Sequence, residues 1–580
     1  MTPKKTSSSS ISNLITIAET PAIKKAKSFL EIFYHREKLH PDKIFLRQPS
    51  GSTWTEYSWA QVGEQARKML TVLNDLGLEK GDHIGILSKN CAHWIVADLA
   101  ILMGGFISVP FYPTLPHDEL KQVIEMSDIK ALFVGKLETW EQQQEAIPEE
   151  IHCIAFPHHE GNSKVTCSLQ WDKIMKDYAP AIDVHHPKKD ELFTIIFTSG
   201  TTGTPKGVML TYNCANQVTL TERKHPVYGI YQGVSERVIS YLPLNHIAER
   251  VVSEICSIVA GSEVSFSESL TQFSTNLQSV KPTLFFAVPR IWVKIQQGIL
   301  AKIPQKKLNI LLSLPVASSL LKAKIRKGLG LSEVKAAISG AAPVSSELLT
   351  WFNKIGINIQ EVYGATELCG GVTFNAGLNK TNDASGTVGQ AIAGSQIKID
   401  KETDEILIKS SWTMTGYYKS PKKTAEVFEG KYYKTGDTGK LDAHGNLIIT
   451  GRIKDTFKTA KGKFVLPVPI EHKFSINPLI EQVVVTGIGL VQPIALINLS
   501  ENADIGNKEH MRSIECTLED INKTSSNHEK ISTLVVFKES WADDSGFFTP
   551  TLKLKRHIID ETFKHNYETW QESKELIIIV

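Results

Sequence analysis

The spacing of apolar and polar residues predicts alternating strands and helices in the first half of the chain. Residues 45–58 form two short stretches around a Gly-Ser turn, the pattern of a strand hairpin. Apolar residues recur at helical spacing from Trp59 to Leu76, and a short apolar run at 83–87 predicts the next strand. The alternation continues to about residue 290. It indicates an α/β fold with doubly wound layers.

The same pattern divides the chain into two domains and a tail. Residues 1–20 are rich in Lys and Ser, so a disordered tail without a signal peptide is expected there. Residues 21–453 are expected to form a large N-terminal α/β domain, and residues 454–580 a small α+β domain. The longest apolar run, at 95–111, contains Asp98, glycines and a proline. It predicts a helix and a buried strand rather than a membrane span.

Composition excludes several classes of protein. The 580 residues are 42% hydrophobic and 22% charged, as in ordinary globular proteins, and a net charge of +2 argues against an obligatory nucleic-acid partner. Seven scattered cysteines without a Cys-x-x-Cys pair are typical of a reducing compartment, so a cytoplasmic protein is expected. The pairs His158-His159 and His185-His186 have no acidic or Cys partner at ligand spacing, so no metal site is expected at them.

A loop between two apolar runs has the composition of a polyphosphate cradle. Glycines let backbone N–H groups approach a phosphate, hydroxyls donate further hydrogen bonds, and lysine adds positive charge. The loop is not a P-loop, because Pro205 precedes its lysine and Gly207 follows it. The alternative is a solvated loop rich in Gly, Ser and Thr. The candidate phosphate-binding residues are Thr198, Ser199, Gly200, Thr201, Thr202, Gly203 and Lys206.

Two further strand ends are suited to a purine and a magnesium ion. Glycines and alanines let backbone lie flat against a base, a tyrosine offers a stacking face, and a nearby carboxylate can hold Mg²⁺. The carboxylate of Asp437, before a polar hairpin, is suited to ribose hydroxyls. The candidate residues at the two strand ends are Gly340, Ala341 and Ala342 in the first, and Tyr363, Gly364, Ala365, Thr366 and Glu367 in the second.

These segments, in this order, resemble the motifs of the adenylate-forming enzymes, which include acyl-CoA synthetases, luciferases and adenylation domains. Segments 241–250 and 548–556 are similar to those of long-chain acyl-CoA synthetases, although Asn245 stands where a Ser is usual. The resemblance covers the chain from about residue 30. It implies a large N-terminal domain, a hinge at Lys454 and a small mobile C-terminal lid.

The resemblance also implies roles for single residues. Tyr363 and Gly364 would contact adenine and Thr366 the α-phosphate, while Glu367 and Thr201 would bind Mg²⁺. The partner of Asp437 at the ribose would be Arg452, and His246 would lie near the acyl carboxylate. The mobile catalytic lysine would be Lys555, with Lys553 as the alternative.

The implied reaction uses ATP, Mg²⁺ and coenzyme A to convert a long-chain fatty acid to acyl-CoA, AMP and pyrophosphate. The alternatives are a medium-chain or aromatic acid, or a carrier protein as acceptor. A luciferase, a phosphate-releasing ATPase and a catalytically inactive binding protein are further alternatives.

Residues 302–327 combine a basic face with an apolar run. They contain Lys302, Lys306, Lys307, Lys322, Lys324, Arg326 and Lys327 and no acidic residue. One interpretation is peripheral docking on an anionic membrane surface. The alternative is a core-packed helix pair with solvated lysines.

Overall fold

The computed structural model describes residues 26–198, 205–217, 236–375, 386–474, 477–501, 503–539, 541, 546–549 and 554–580. The strands are β1 Ile44–Ser50, β2 Thr53–Ser58, β3 His83–Ser88, β4 Ile107–Phe111, β5 Ile129–Gly135, β6 His152–Ala155, β7 Leu169–Gln170, β8 Leu192–Thr198, β9 Lys206–Thr211, β10 Arg237–Ser240, β11 Glu263–Phe266, β12 Leu284–Ala287, β13 Ala336–Gly340, β14 Ile359–Ala365, β15 Gly370–Asn375, β16 Gln390–Ala391, β17 Ser395–Ile399, β18 Glu405–Ser410, β19 Gly416–Tyr417, β20 Phe428–Glu429, β21 Tyr432–Leu441, β22 Leu447–Arg452, β23 Phe457–Lys458, β24 Phe464–Val465, β25 Ile480–Thr486, β26 Ile494–Leu499, β27 Thr533–Phe537 and β28 Ile577–Ile579.

The helices connect these strands, and a π-helical stretch, Arg250–Ile255, joins two of them. They are α1 Phe29–Leu39, α2 Trp59–Asp75, α3 Ala92–Met103, α4 His117–Ser127, α5 Trp140–Gln143, α6 Trp171–Asp177, α7 Ile247–Glu249, α8 Cys256–Ala260, α9 Phe273–Val280, α10 Pro289–Lys302, α11 Gln305–Ser313, α12 Pro315–Leu329, α13 Ser346–Lys354, α14 Pro421–Glu426, α15 Pro467–Phe474, α16 Lys508–Thr524, α17 Arg556–Phe563 and α18 Tyr567–Glu572.

Two sheets whose central strands are parallel form the body of the large domain. One has the strand order β16-β15-β14-β13-β12-β10-β11-β1-β2, and the other β19-β9-β8-β4-β3-β5-β6-β7. The run β11-β10-β12-β13-β14 is parallel, as is the run β8-β4-β3-β5-β6-β7. Parallel strands need helical crossovers, which cover both faces of each sheet. The doubly wound α/β fold expected from the sequence is therefore confirmed.

Helix α3 explains the longest apolar run of the sequence. All twelve of its residues are buried, and it packs on β3 and β4 of one sheet and on β1 of the other. A helix that is apolar on every side must be buried on every side. The chain then enters β4, as the sequence analysis expected for residues 95–111. Within the described residues, no helix is both long enough and apolar enough to span a bilayer.

A buried charge network joins α3 to the segment that follows β10. The Arg250 guanidinium lies 2.6 Å from Asp98 Oδ2 and 3.1 Å from Glu254 Oε2, and all three side chains are fully buried. Arg250 also donates to Thr194 Oγ1 of β8 at 2.6 Å. Burial and the neighbouring Asp98 raise the pKa of Glu254 well above its usual value. The network fixes the position of the segment that carries His246, and it places Arg250 in the core.

An antiparallel sheet and a small domain complete the fold. Strands β17, β18, β21, β20 and β22 form the antiparallel sheet, which the sequence analysis did not predict. In the small domain, β25-β26-β27-β28 form a sheet packed by α15 and α16. This α+β module was predicted. Contacts between the domains include an ion pair of 3.0 Å between Arg290 of α10 and Glu481 of β25. The guanidinium of Arg290 also lies 5.3 Å from the ring centroid of Phe548.

Three element boundaries have local causes. The N-cap of α3 is Cys91, and the side chain of the preceding Asn90 binds the segment after β10 instead. Strand β10 ends at Ser240, shortly before Pro243, which has no N–H to donate to a strand neighbour. Phe548 and Leu554 form a single antiparallel bridge before α17 begins.

Candidate active site

The candidate phosphate loop joins two paired strands. Strands β8 and β9 are antiparallel, with Thr198 directly opposite Lys206, and the Thr198 hydroxyl donates to the Lys206 carbonyl at 3.4 Å. The two ends of the loop are thereby held together. The remaining predicted loop residues, Ser199, Gly200, Thr201, Thr202 and Gly203, lie outside the described residues.

A tyrosine joins the loop lysine to the candidate magnesium ligand. Strand β19 pairs with β9 so that Tyr417 lies opposite Val208. The Tyr417 hydroxyl donates to Glu367 Oε1 at 2.8 Å, and Lys206 Nζ lies 5.0 Å from the centre of the Tyr417 ring. Glu367 is thus held beside Lys206 although the two residues are far apart in the sequence. Carboxylate oxygens are the ligand type that Mg²⁺ prefers, so Glu367 fits the assigned role.

An excess of positive charge surrounds the phosphate loop. Burial lowers the pKa of Lys206, and the nearby cations of Lys423 and Lys454 lower it further. Glu367 and Glu426 raise it by less. Like charges held together repel, and a polyphosphate would relieve that repulsion. The electrostatics of the described residues therefore favour an anion at this position.

The candidate purine-binding turns lie side by side. Strands β13 and β14 are parallel neighbours, with Gly340 opposite Val362, so their carboxyl ends reach the same sheet edge. Ala341 adopts a left-handed conformation, φ +67°, which turns the chain sharply into the exposed Ala342. At Gly364 an added Cβ would lie 1.8 Å from the Gly370 carbonyl oxygen, so only glycine allows this approach of β14 to β15.

Tyr363, Asp437 and Arg452 form one hydrogen-bonded group beside these turns. The Tyr363 hydroxyl donates to Asp437 Oδ2 at 2.7 Å, and Arg452 Nε lies 2.9 Å from Asp437 Oδ1. Asp437 and Arg452 are directly opposite on β21 and β22. The hairpin of β21 and β22 thus carries both residues predicted for the ribose, and the hydrogen bond from Tyr363 of β14 joins them to the residue predicted for adenine. Thr366 is buried and Ala365 partly buried at the end of β14.

The candidate hinge residue and the candidate catalytic lysine each lie beside the start of a short element. Lys454 is exposed in a short 3₁₀ turn, Ile453–Asp455, that follows directly on β22. Lys555 is the residue before α17, and its N–H donates to the Phe547 carbonyl at 2.7 Å. Among the described residues, no hydrogen bond or ion pair joins Lys555 to the phosphate loop or to Glu367. The next residue, Arg556, binds Glu471 at 2.7 Å and lies 3.6 Å from Asp455.

His246 begins the short helix α7. Its Nδ1 accepts from the Ala248 N–H at 3.2 Å, so the imidazole caps the helix. The segment before it is held by Asn90, whose side-chain amide accepts from Leu244 N and donates to Ser240 Oγ and the Leu242 carbonyl. Asn245 is buried, and neither polar atom of its amide has a hydrogen-bond partner among the described residues.

Sequence reasoning missed Tyr417, Asn90 and the surroundings of His159. A Gly-Tyr pair far from the phosphate loop carried no signal for Tyr417, because its partner strand is set by the fold. His159 has no ligand partner at close sequence spacing, but the fold places Cys91 and His93 close to it. The other pair contains a structural residue: His185 Nε2 lies 2.6 Å from Glu191 Oε2.

This fold and this arrangement of residues are those of a two-domain adenylate-forming enzyme. The AMP-binding enzyme family matches residues 33–418, and the AMP-binding enzyme C-terminal domain matches residues 454–570. The chain therefore belongs to the AMP-binding enzyme family.

Two curated relatives indicate which group of AMP-binding enzymes this chain is similar to. The chain is similar to long-chain-fatty-acid–CoA ligase FadD15 of Mycobacterium bovis, with 28% identity over 93% of this chain and 96% of that protein. It is 29% identical to long-chain-fatty-acid–CoA ligase 5 of Mus musculus, over 89% of this chain and 84% of that one. These similarities confirm the predicted resemblance to acyl-CoA synthetases and the classification as an acid–thiol ligase.

Solved structures share the fold. The anthranilate CoA ligase AuaEII in complex with anthranoyl-AMP matches with a TM-score of 0.74 and 19% identity, covering 93% of this chain and 97% of that one. The adenylation domain of a carboxylate reductase from Mycobacterium chelonae matches with a TM-score of 0.80 and 20% identity, covering 94% and 92%. Both matches extend over the large and the small domain.

Proposed function

We propose that this enzyme activates a long-chain fatty acid with ATP and transfers the acyl group to coenzyme A. The observation that carries the proposal is the similarity to long-chain-fatty-acid–CoA ligases over nearly the whole chain, both domains included. Segments 241–250 and 548–556 support it, because they resemble long-chain enzymes rather than the wider family.

In the first half-reaction, a fatty carboxylate oxygen attacks the α-phosphorus of ATP, and the bond to the β-phosphate oxygen breaks. Pyrophosphate leaves, and the acyl-adenylate remains. The chemistry requires positioning and charge neutralisation more than a protein nucleophile. Lys206 and the loop that begins at Thr198 would hold the polyphosphate. Mg²⁺, held by Glu367 with Thr201, would supply further charge neutralisation when bound. Lys555 would bridge the carboxylate and the α-phosphate.

The nucleoside would be held at the neighbouring strand ends. Tyr363 and Gly364 would contact adenine across the turn at Gly340, and Asp437 with Arg452 would hold the ribose hydroxyls. In the second half-reaction, the coenzyme A sulfur attacks the acyl carbonyl, the bond to the AMP oxygen breaks, and the thiol proton passes to water. His246 would lie beside the acyl carbonyl.

An acid panel tests this proposal. Pyrophosphate release and coenzyme A consumption are measured with acids from acetate to oleate, with benzoate included. We expect the highest kcat/KM with the long-chain acids, and AMP formed together with the thioester. Highest activity with benzoate or a medium-chain acid would reject the chain-length assignment. Pyrophosphate release that needs a carrier protein would reject coenzyme A as the acyl acceptor. Release of orthophosphate would indicate an ATPase. Tight acid binding without turnover would indicate an inactive binding protein.

Removing either charge beside Tyr417 is expected to impair ATP use. Lys206→Ala and Glu367→Ala should each lower kcat/KM for ATP about ten- to a hundredfold, because a charge-assisted contact contributes about 1.5–3 kcal/mol. Fatty-acid binding should change little. Pyrophosphate release at limiting ATP measures the effect, and Lys422→Ala, at an exposed lysine near the site, is the control. Unchanged release by both variants would show that the loop does not hold the polyphosphate.

The basic segment 302–327 supports a proposal of peripheral membrane docking. It folds as α11 and α12, with few buried side chains. Ile310, Leu314, Val316 and Leu320 are 52–77% exposed, and none of the seven cations forms an ion pair with a described residue. Exposed apolar side chains among unpaired cations suit an anionic lipid surface.

Neutralising these seven cations is expected to lower binding to anionic vesicles at least about tenfold, since each basic residue near such a surface contributes about 1 kcal/mol. Sedimentation with vesicles of phosphatidylserine and phosphatidylcholine measures it. Vesicles of phosphatidylcholine alone and the variant Lys401→Gln/Lys431→Gln/Lys440→Gln, changed at exposed lysines elsewhere, are the controls. Sedimentation that does not change on neutralisation would leave the solvated helix pair as the correct interpretation.

A further inference from the structure

Three metal-ligating side chains meet at the start of α3, outside the candidate active site. Cys91 is the residue before the helix, and His93 lies in its first turn. His159 comes from the loop that follows β6. One ligand atom from each side chain lies within 4.8 Å of the other two. The packing of β6 beside β5 and of α3 on the sheet assembles the group, so His159 lies near Cys91 and His93 although it is far from them in the sequence.

Each of the two imidazoles has a buried nitrogen without a hydrogen bond. His93 is 6% exposed, and among the described residues neither its Nδ1 nor Nε2 of His159 has a hydrogen-bond partner. Leaving a buried polar atom unpaired costs about 1–3 kcal/mol. The ring of His93 packs against aromatic neighbours, with centroids 4.9 Å away at Trp171 and 6.0 Å away at Tyr57. Two buried nitrogens without partners, beside a thiol, are a feature that a purely structural core does not require.

We propose that Cys91, His93 and His159 form a zinc-binding site. One thiolate and two imidazoles are ligands that Zn²⁺ binds tetrahedrally, with a fourth position for water. Zinc bonds of about 2.0–2.3 Å place ligand atoms about 3.3–3.8 Å apart, so small side-chain rotations would close the site. His93 also lines a cavity of about 410 Å³ with Tyr57 and Asp172, through which water can reach the imidazole.

The site differs from the magnesium site in its chemistry and its position. Glu367 offers oxygen, whereas this group offers sulfur and nitrogen, which exclude Mg²⁺. Cys91 follows Asn90, whose amide holds the segment before His246. A bound ion would therefore stabilise the start of α3 and, through Asn90, that segment.

Cobalt titration of the full chain tests the proposal. Chelator-treated protein is titrated with Co²⁺ without ATP, and the thiolate-to-cobalt charge-transfer absorption is recorded. We expect one equivalent to produce the band and Zn²⁺ to displace it. The band reports sulfur ligation, so cobalt bound at carboxylates does not produce it.

Variants identify the ligands. Cys91→Ser should abolish the band, and His159→Ala should weaken cobalt affinity more than about a hundredfold, since loss of even an outer-shell partner costs about ten- to a hundredfold. Cys516→Ser removes a thiol on α16, and His158→Ala removes the exposed neighbour of His159; both should bind cobalt unchanged. Circular dichroism checks the fold of each variant.

An absent band in the unmodified protein, or a band retained in Cys91→Ser, would overturn the assignment. His159 lies in a loop and is only partly buried, so His159→Ala decides the question if Cys91→Ser does not fold. Equal cobalt affinity in His159→Ala and His158→Ala would likewise exclude the site.

Discussion

Lys555→Ala is expected to lower the rate of acyl-adenylate formation on the order of a thousandfold. The positive charge would act while pyrophosphate leaves, and removing one donor aimed at developing charge costs about a hundred- to a thousandfold in kcat. Thioester formation from supplied acyl-adenylate should remain largely intact, because the phosphorus chemistry is already complete. Single-turnover assays of the two half-reactions measure the difference.

Lys555→Ala is expected to remove the side-chain charge without disturbing the local backbone. The Lys555 N–H donates to the Phe547 carbonyl, and the Lys555 carbonyl accepts from the Ile559 N–H at the start of α17; alanine keeps both hydrogen bonds. The helix is anchored by the neighbouring Arg556, whose guanidinium binds Glu471. Lys553→Ala is the matched comparison; that position lies outside the described residues. If Lys553→Ala shows the loss and Lys555→Ala does not, the assignment is wrong by two residues.

Lys454→Pro is expected to separate the two half-reactions. The rate of adenylate formation should stay within about tenfold of that of the unmodified enzyme. The rate of the coenzyme A step should fall about a hundredfold or more, equivalent to about 2.7 kcal/mol in activation free energy. In the proposed mechanism one site presents both Lys555 and the thiol to the same carbonyl, which would require the small domain to rotate between the steps. Proline fixes φ near −65° and restricts the preceding residue, which limits rotation at the hinge. We expect the adenylating orientation to survive, because Lys555 approaches in it.

Lys454→Ala controls for the charge that Lys454 adds beside Lys206. It removes the ammonium without restricting the backbone. The rate of the coenzyme A step should therefore fall much less than in Lys454→Pro. Each half-reaction is again measured separately, with acyl-adenylate supplied for the second. Equal losses in both would indicate general damage to the linker. Unimpaired thioester formation in the proline variant would rule out Lys454 as the pivot.

The parts of the site that were predictable are those encoded by local sequence. The turn between β8 and β9 and the strand ends at Gly340 and Tyr363 each depend on a few consecutive residues. Turn residues and apolar spacing act over such short distances. The resemblance supplied the roles, and the structure brings Asp437 to Arg452 and Glu367 to the loop lysine, as those roles require. Whether the side chains perform them stays a prediction for the experiments above.

The parts that were not predictable depend on pairing between distant segments. Tyr417 reaches Glu367 because β19 pairs with β9, some two hundred residues earlier in the chain. No local preference specifies that partner, since strand pairing depends on the packing of the whole sheet. The same reason applies to the antiparallel sheet of β17, β18 and β21. It applies again to His159, whose neighbours Cys91 and His93 are joined to it only by the fold.

The pairing of Asp437 with Arg452 has a thermodynamic consequence. Arg452 ends β22, and the turn that contains Lys454 begins at the next residue, so the proposed nucleotide site and the proposed pivot share one strand end. A nucleotide that binds one orientation of the small domain more tightly would shift the domain toward that orientation. By reciprocity, the orientation would change nucleotide affinity by the same factor. On this proposal, release of AMP and return of the domain would be thermodynamically coupled.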